Sequence, residues 1–295
     1  ASAQDMKMNL VVQGEDVATA DLKALHALAR GAAIERVSDS AFRITRADTA
    51  AREPVAAHCA GAGLDWGFVA AGRTLADFAL LAMDMDSTLI SIECIDEIAD
   101  FAGRKAEVAA VTAAAMRGEI DWPESLRRRV AALSGLDESA LECVYAERLR
   151  FNPGAERLVA ASRRAGLRTL LVSGGFTYFT DRVRDLLGLD YAYSNVLVVE
   201  GGRLAGRVSG ALVDAQGKAA HVARLKAELG ISRDRVLAIG DGANDLAMMA
   251  EAGTSIAYRA KPVVKSQADY ALDFVGLDGI LNLFPETLGD RPLSN

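Results

Sequence analysis

Two aspartates that could act together on a substrate lie two residues apart in the sequence. Asp84 and Asp86 directly follow an apolar run that ends at Met83. In an extended segment alternate side chains point to the same face, so both carboxylates would face one site. Because like charges at that separation do not both ionise without a cation, the pair indicates a bound metal or one carboxylate held protonated. A bound metal would suit a carboxylate that acts as a nucleophile, and a retained proton would suit a general acid. The alternative is an acidic turn that is exposed to solvent and has no catalytic role.

Three further segments carry groups that suit phosphate chemistry. Asp241 and Asp245, in the glycine-containing segment 240–245, offer the hard oxygen ligands that Mg²⁺ prefers. The segment 173–175 is Ser-Gly-Gly and precedes a predicted helix, so its hydroxyl and free N–H groups would form an anion site. Lys218 would supply a fixed positive charge. Each of these signals is common in other proteins when it occurs alone.

Buried strands are expected to position these groups. The runs 78–83, 167–172 and 236–239 are apolar without clean alternation, as is typical of parallel strands covered on both faces. Each run ends in a polar cluster, and ligands of open α/β sheets bind beyond the carboxyl ends of the strands. The sequence therefore predicts an α/β fold with one crevice. Residues 92–149 are almost wholly helical in pattern and are predicted to form a cap inserted over that crevice.

The first part of the chain has a different pattern. Residues 8–72 alternate short strands and helices in the order βαββαβ, which is the ferredoxin-like arrangement. This order resembles the ACT-type regulatory modules that bind amino acids or pair with one another, and a small domain for assembly or solubility is the alternative. The predicted division is a tail at 1–7, an ACT-like α+β domain at 8–72 and an α/β domain at 73–295.

The composition is that of a soluble globular protein. The 295 residues include 33 Lys and Arg against 40 Asp and Glu, a net charge of −7, with 51% hydrophobic residues. An acidic chain argues against a nucleic-acid surface but not against a small phosphorylated substrate. No apolar run approaches the roughly 18 residues that cross a bilayer. Three cysteines at spacings that fit neither disulfides nor zinc, and no signal-peptide core, predict a cytoplasmic protein.

Together and in this order, the motifs resemble those of the haloacid-dehalogenase-like (HAD) phosphohydrolases. The resemblance is closer to the phosphoserine phosphatase family of that superfamily in six segments: 84–90, 93–99, 115–118, 125–130, 172–176 and 240–246. It extends from about residue 80 to residue 262 and does not cover residues 1–72. The resemblance implies a HAD-like Rossmannoid parallel sheet with an inserted helical cap. It also implies Mg²⁺-dependent hydrolysis of O-phospho-L-serine through an aspartyl-phosphate, the last step of serine biosynthesis.

The same resemblance implies a role for each residue of the acidic segments. Asp84 would attack phosphorus as the nucleophile, and Asp86 would protonate the leaving oxygen and then activate water. Mg²⁺ would be held by Asp84, the Asp86 backbone carbonyl and Asp241, with Asp245 in support. Thr88 would hydrogen-bond the loop or the nucleophile.

Substrate recognition would be shared between the sheet edge and the cap. By resemblance, Ser173, the Gly174 amide and Lys218 would hold the phosphoryl oxygens, with Asn244 nearby. In the cap, the resemblance assigns the substrate ammonium to Glu93 and the substrate carboxylate to Arg129. Two more cap residues would shape the wall of the crevice or pack in the core: Met116 and Trp122.

Helix geometry supports the assignment of Arg129 independently. In a helix that opens at Asp121, Arg129 lies about 60° from Leu126, on the apolar side, and Arg128 lies about 160° away, towards solvent. An inward-leaning arginine either binds an anion or packs its stem while the head reaches water.

Three other functions remain open at the level of the sequence. The same chemistry would serve another small phosphomonoester or transfer to a second alcohol. A signalling receiver also uses an acidic cluster, a hydroxyl and a lysine, but it has no acid at the position of Asp86 and no long helical cap. Residues 8–72 could instead make the chain chiefly an amino-acid sensor, and they are the segment through which a homodimer would form.

Overall fold

The N-terminal part of the chain folds into the order of elements that its alternating pattern predicts. The computed structural model describes residues 7–287. Its first six elements are β1 (Met8–Gln13), α1 (Thr19–Leu28), β2 (Ala33–Ser38), β3 (Ala41–Thr45), α2 (Arg52–Ala62) and β4 (Asp65–Ala70). The four strands are antiparallel in the order β2-β3-β1-β4, and Leu25 and Val55 of the helices are buried in a core with Leu10 of β1. The relationship of this part of the chain to the ACT-type modules stays a prediction.

The three apolar runs without alternation form the centre of a parallel sheet. The remaining strands are β5 (Leu80–Met83), β6 (Arg168–Phe176), β7 (Tyr191–Glu200), β8 (Arg203–Ser209), β9 (Val236–Gly240), β10 (Thr254–Tyr258) and β11 (Tyr270–Leu272). Strands β11, β10, β9, β5, β6 and β7 lie side by side in that order and run parallel, and β8 is antiparallel to β7. Every residue of β5 is buried. Because β9, β5 and β6 are neighbours, the polar segments that follow them meet at one edge.

Four helices lie in the insertion after β5, where the sequence predicts a cap. They are α3 (Cys94–Phe101), α4 (Lys105–Met116), α5 (Trp122–Ala131) and α6 (Ser139–Glu147). An antiparallel bridge between Ile90 and Phe151 closes the base of the insertion, just outside the predicted limits of 92 and 149. The other helices are α7 (Ala155–Arg164), α8 (Thr177–Leu187), α9 (Ala215–Leu229), α10 (Leu246–Ala250), α11 (Pro262–Lys265) and α12 (Ile280–Leu283). Within residues 7–287, none of the helices is long and apolar enough to pass through a membrane.

The N-terminal module and the parallel sheet are joined into one sheet of 11 strands. Strand β4 pairs antiparallel with β11 through Trp66 and Ala271. The buried carboxylate of Asp65 accepts hydrogen bonds from three successive backbone N–H groups after β11, at 2.8–2.9 Å, those of Asp273, Phe274 and Val275. The sheet therefore continues through the predicted boundary at residue 72, and the division into domains stays a prediction.

Asn152 stabilises the base of the cap. Its buried side-chain amide donates hydrogen bonds to the carbonyl of Thr88 at 2.7 Å and to that of Ile90 at 3.1 Å. Its backbone N–H donates to the carbonyl of Leu89 at 3.0 Å. One side chain therefore ties the strand that leaves the cap to the chain that enters it, next to the acidic segment after β5.

Replacement of Asn152 by Ala is expected to lower the free energy of unfolding by about 2–3 kcal/mol, because two buried carbonyls lose their donor. Urea unfolding followed by circular dichroism measures this change. Asn9→Ala is the matched control, since the side chain of Asn9 accepts one long bond of 3.3 Å near the surface, and its loss should cost about 0.5 kcal/mol or less. Equal effects of the two substitutions would contradict the role of Asn152.

Candidate active site

The buried aspartate after β5 lies at the centre of the polar edge. The Asp84 N–H donates to the Ile239 carbonyl of β9 at 3.0 Å, which continues the ladder beyond the last paired residue of β5. Its carboxylate accepts a hydrogen bond from Lys218 Nζ at 2.6 Å on Oδ1. Thr88 Oγ1 lies 3.4 Å from the other oxygen, Oδ2, and 3.1 Å from Asp241 Oδ1. The hydroxyl of Thr88 therefore connects the segments after β5 and β9.

The loop after β9 is organised by Asp245. The Asp245 Oδ2 atom accepts hydrogen bonds from the backbone N–H groups of Asp241 at 3.1 Å and Gly242 at 3.2 Å. A Cβ atom at Gly240 would lie 2.5 Å from the Asp245 carboxyl carbon, so a larger residue at this position would displace that carboxylate. The glycine at the end of the strand therefore lets the carboxylate fold back beneath its own loop. Asn244 is exposed on the same loop.

Lys218 is buried between two carboxylates. It lies in the first turn of α9, whose N-cap Asp214 accepts a hydrogen bond from the Gly217 N–H at 2.8 Å. Only 1% of its side chain is exposed, and Nζ donates to Asp84 at 2.6 Å and to Asp245 at 2.8 Å. Burial alone would lower the pKa of Lys218, but the two carboxylates outweigh it and raise the pKa above its usual value. The ammonium is therefore a permanent charge at the crevice floor.

The acidic residues around this lysine form a group that could bind a metal ion. One oxygen from each of Asp84, Asp241 and Asp245 lies within 4.8 Å of the others. Burial and the charge of Asp245 raise the pKa values of both Asp84 and Asp241, although Lys218 acts in the opposite direction on each. The single ammonium thus leaves negative charge uncompensated. Hard carboxylate oxygens in this state fit a divalent cation such as Mg²⁺.

Asp86 differs from these carboxylates in its environment. Within the described part of the chain, its buried Oδ1 atom has no hydrogen-bond partner. A Cβ atom at Gly175 would lie 3.1 Å from Asp86 Oδ2 and 3.1 Å from Ser173 Oγ, so Asp86 faces the last part of β6. Burial raises the pKa of Asp86 to about 6. A carboxyl that gains and loses its proton near neutral pH is suited to acid–base work.

The predicted anion site, residues 173–175, lies in the last part of β6 rather than after it, because the strand extends to Phe176 with a register shift after Val172. The buried hydroxyl of Ser173 accepts a hydrogen bond from the Gly175 N–H at 2.9 Å. The carbonyl of Gly174 accepts a hydrogen bond from Asn195 Nδ2 at 2.9 Å, and Asn195 Oδ1 accepts from the Val213 N–H at 2.8 Å. Asn195 therefore fixes the turn to the chain that leads to α9. Sequence reasoning missed this residue; an asparagine within an apolar strand was the signal, since asparagine is depleted there.

Arg129 and Arg128 on α5 lie in different environments. Arg129 on α5 is half-buried, while its neighbour Arg128 is exposed and pairs with Glu124 at 2.8 Å. This orientation is the one that helix geometry predicts. Loss of solvation lowers the pKa of Arg129, and the carboxylates of Asp96, Glu93 and Asp86 act in the opposite direction. Arg129 therefore faces the acidic side of the crevice.

The predictions for the other three cap residues, Glu93, Trp122 and Met116, have different outcomes. Glu93 precedes α3, and its carboxylate accepts a hydrogen bond from Ser87 Oγ at 2.6 Å. Loss of solvation in the crevice raises its pKa to about 8, and the charge of Asp86 adds to this shift. The side chain of Trp122 is 46% exposed, so the prediction that it packs in the core is wrong. The alternative, that it forms part of the cap wall, stays a prediction. The side chain of Met116 lies outside the described residues.

Comparison with known proteins agrees with this arrangement. Residues 81–250 match the family model of the haloacid dehalogenase-like hydrolases. The chain belongs to this family of enzymes, as the resemblance of its motifs predicted. A domain of unknown function (DUF4072) matches residues 10–55.

Within the family, the similarity is to phosphoserine phosphatases. The chain is 58% identical over 214 residues to the phosphoserine phosphatase of Polaromonas sp., an alignment that covers 71% of this chain and 91% of that one. The crystal structure of a probable phosphoserine phosphatase from Vibrio cholerae has a TM-score of 0.81 and 36% identity, over 94% of this chain and 86% of that one. A HAD family hydrolase from Salmonella enterica serovar Typhi has a TM-score of 0.86 and 28% identity, over 95% and 99%.

Proposed function

We propose that this protein is a phosphoserine phosphatase, which hydrolyses O-phospho-L-serine to L-serine and phosphate. The observation that carries the proposal is the pairing of opposite charges beside the acidic segment after β5. Arg129 and Glu93 lie on the crevice side of the cap, near Asp86. A guanidinium and a carboxylate complement the carboxylate and ammonium of an amino acid. The two aspartates below them supply the hydrolytic chemistry.

In the first half of the reaction, an Asp84 oxygen attacks phosphorus and the bond from phosphorus to the seryl oxygen breaks. The protonated carboxyl of Asp86 donates its proton to that oxygen, so serine leaves as an alcohol. A pKa near 6 allows Asp86 to hold this proton in a useful fraction of molecules near neutral pH. The product of this half is an aspartyl-phosphate at residue 84.

In the second half, Asp86 is a carboxylate and takes a proton from water as that water attacks the phosphorus of the aspartyl-phosphate. The bond to the Asp84 oxygen breaks, phosphate leaves, and both aspartates return to their starting state. Lys218, Ser173 and the Gly174 amide hold the phosphoryl oxygens throughout. Asp84, Asp241 and the Asp86 carbonyl would hold Mg²⁺, with Asp245 in support, and the ion would supply positive charge that offsets the repulsion between nucleophile and phosphate.

A phosphate-release assay over several substrates tests the function. We expect release from phosphoserine to exceed that from sugar phosphates, and to stop when EDTA removes Mg²⁺. Phosphothreonine differs by one methyl group, which a pocket discriminates by only about 1–3 kcal/mol, so it is the most demanding competitor. Preference for a sugar phosphate would favour the alternative of a HAD phosphatase, or a phosphotransferase, for another small phosphomonoester.

Replacement of Arg129 by Ala is expected to raise the KM for phosphoserine by about 10–100-fold, because the substrate carboxylate loses a charged hydrogen-bond partner. Hydrolysis of p-nitrophenyl phosphate, which has no such carboxylate, should change by about twofold or less. Steady-state kinetics on both substrates measure the difference. Arg128→Ala is the matched control, since that neighbour points to solvent. Equal losses on both substrates would contradict recognition of an amino acid.

The cellular context forms part of the same proposal. A phosphatase with this specificity would complete serine biosynthesis in the cytoplasm. The N-terminal module would act as an ACT-like domain that binds an amino acid or pairs two copies of the chain. Analytical ultracentrifugation of the full chain, with and without serine, tests both roles, and an unchanged monomer that binds no serine would contradict them.

A further inference from the structure

The turn that follows the two aspartates contains a residue in an unfavourable backbone conformation. Ser87 has φ of 57° and ψ of 7°, in the left-handed region that glycine adopts without strain. Its N–H donates to the Ile92 carbonyl at 3.1 Å, and the Ile90 N–H donates to the Met85 carbonyl at 3.1 Å. The turn is therefore fixed at both ends. Since glycine would satisfy this backbone with less strain, the side chain of Ser87 needs a separate explanation.

The side chain of Ser87 binds the carboxylate of Glu93. The hydroxyl donates to Glu93 Oε1 at 2.6 Å. Within the part of the chain that the structure describes, this is the only side-chain hydrogen bond that Glu93 accepts. Without Ser87, the carboxylate would sample several rotamers at the mouth of the crevice. The hydrogen bond from the hydroxyl lowers the pKa of Glu93, but loss of solvation has a larger effect and the pKa is raised to about 8.

We propose that Ser87 is a positioning residue, which holds the Glu93 carboxylate where it receives the ammonium group of the substrate. The proposal rests on the proposed function and deepens it. Ser87 directly follows Asp86, so one turn fixes both the acid and the carboxylate that recognises the amino acid. The hydrogen bond occupies Oε1 and leaves Oε2 for the ammonium. Ser87 thereby contributes to discrimination between amino-acid phosphomonoesters and simple ones without touching the reacting atoms.

Two substitutions of Ser87 separate the effect of its hydroxyl from the effect of its backbone conformation. Ser87→Gly removes the hydroxyl and relaxes the left-handed conformation, whereas Ser87→Ala removes the hydroxyl and keeps the Cβ. Both are expected to raise the KM for phosphoserine by about fivefold to tenfold, and to change hydrolysis of p-nitrophenyl phosphate by about twofold or less. Ser91→Ala is the control on the same loop, since the hydroxyl of Ser91 donates to the Arg150 carbonyl instead.

A double-mutant cycle with Glu93→Gln decides whether Ser87 acts through Glu93. In that background, Ser87→Gly should change the KM for phosphoserine by about twofold or less. An unchanged KM in Ser87→Gly alone, an equal loss on both substrates, or additive effects in the cycle would each overturn the positioning role. A wild-type preference for another phosphomonoester would instead overturn the proposed function, so the two failures are distinguishable.

Discussion

Replacement of Asp84 by Asn is expected to reduce kcat for phosphoserine by about 10⁴-fold or more, because removal of a catalytic nucleophile has effects of this size. The amide has nearly the same shape but a far weaker nucleophilic oxygen, so the aspartyl-phosphate does not form. The fold should persist, because Lys218 keeps its bond to Asp245 at 2.8 Å. Circular dichroism and phosphate release, measured on the same preparation, separate loss of chemistry from loss of structure.

The control for the Asp84 variant is Asp185→Asn, a change of the same kind on the exposed surface of α8. It should leave kcat within about twofold of the wild-type value. Acid quenching during turnover with ³²P-labelled phosphoserine should trap the label on the wild-type chain and not on the Asp84 variant. Label that remains after Asp84→Asn, or that maps to another residue, would contradict the covalent mechanism.

The parts of the fold that sequence reasoning predicted are those encoded by continuous segments. A buried parallel strand is an uninterrupted apolar run, and the polar cluster that ends it adjoins it in sequence. The runs at 78–83, 167–172 and 236–239 therefore predicted both β5, β6 and β9 and the edge where their ends meet. The order of elements within residues 8–72 followed from the same kind of local pattern.

The junction between the two parts of the sheet was not predictable in the same way. It depends on Asp65, whose partners lie about 210 residues later in the chain, at Asp273, Phe274 and Val275. In the sequence, Asp65 stands at the start of a strand, and nothing in that position indicates a partner so far along the chain. Only the folded chain shows that this carboxylate is 4% exposed and satisfies three backbone N–H groups.

In the candidate site, too, some residues could be predicted from the sequence and others could not. Side chains proposed to touch phosphate or metal were found from the motifs: Asp84 and Asp241 are acidic residues at strand ends, and Lys218 lies in the first turn of α9. Residues that hold the backbone beneath them were missed. Asn152 and Asn195 bind carbonyls that lie 64 and 21 residues away in sequence, and no spacing rule connects such partners. Supporting residues of this kind become visible only through their hydrogen bonds.

Lys218 joins the stability of the site to its chemistry. It is the ammonium that contacts both Asp84 and Asp245, and its side chain is 1% exposed. Before substrate binds, it offsets part of the repulsion among the carboxylates of the group that could bind a metal. In the proposed reaction the same charge faces the phosphoryl oxygens. A substitution at this position therefore has two separable consequences, one for folding and one for catalysis.

Replacement of Lys218 by Met is expected to lower the free energy of unfolding of the metal-free protein by about 3–5 kcal/mol, because the buried carboxyl groups of Asp84 and Asp245 lose the ammonium that contacts both. Activity should fall by about 10³-fold, as when a preorganised donor to the transition state is lost. Urea unfolding in EDTA measures the first effect and phosphate release the second. Mg²⁺ should restore part of the stability of the variant, since a ligand that binds only the folded state stabilises it.

The pH dependence of the Lys218 variant provides the stricter test. Lys218 holds the pKa of Asp84 down, although burial still leaves it well above 3.8, so the substitution raises that pKa further. A carboxyl with a raised pKa binds more protons in the folded state, and stability is therefore lost as pH rises above about 3.8. The deficit of the metal-free variant should be larger at pH 8 than at pH 5. Lys226→Met, also on α9, breaks a partly exposed pair with Glu251 and should show a small deficit of about 1 kcal/mol or less. A Lys218 deficit that is equally small, or that shrinks as pH rises, would contradict a buried ammonium that holds two carboxylates together.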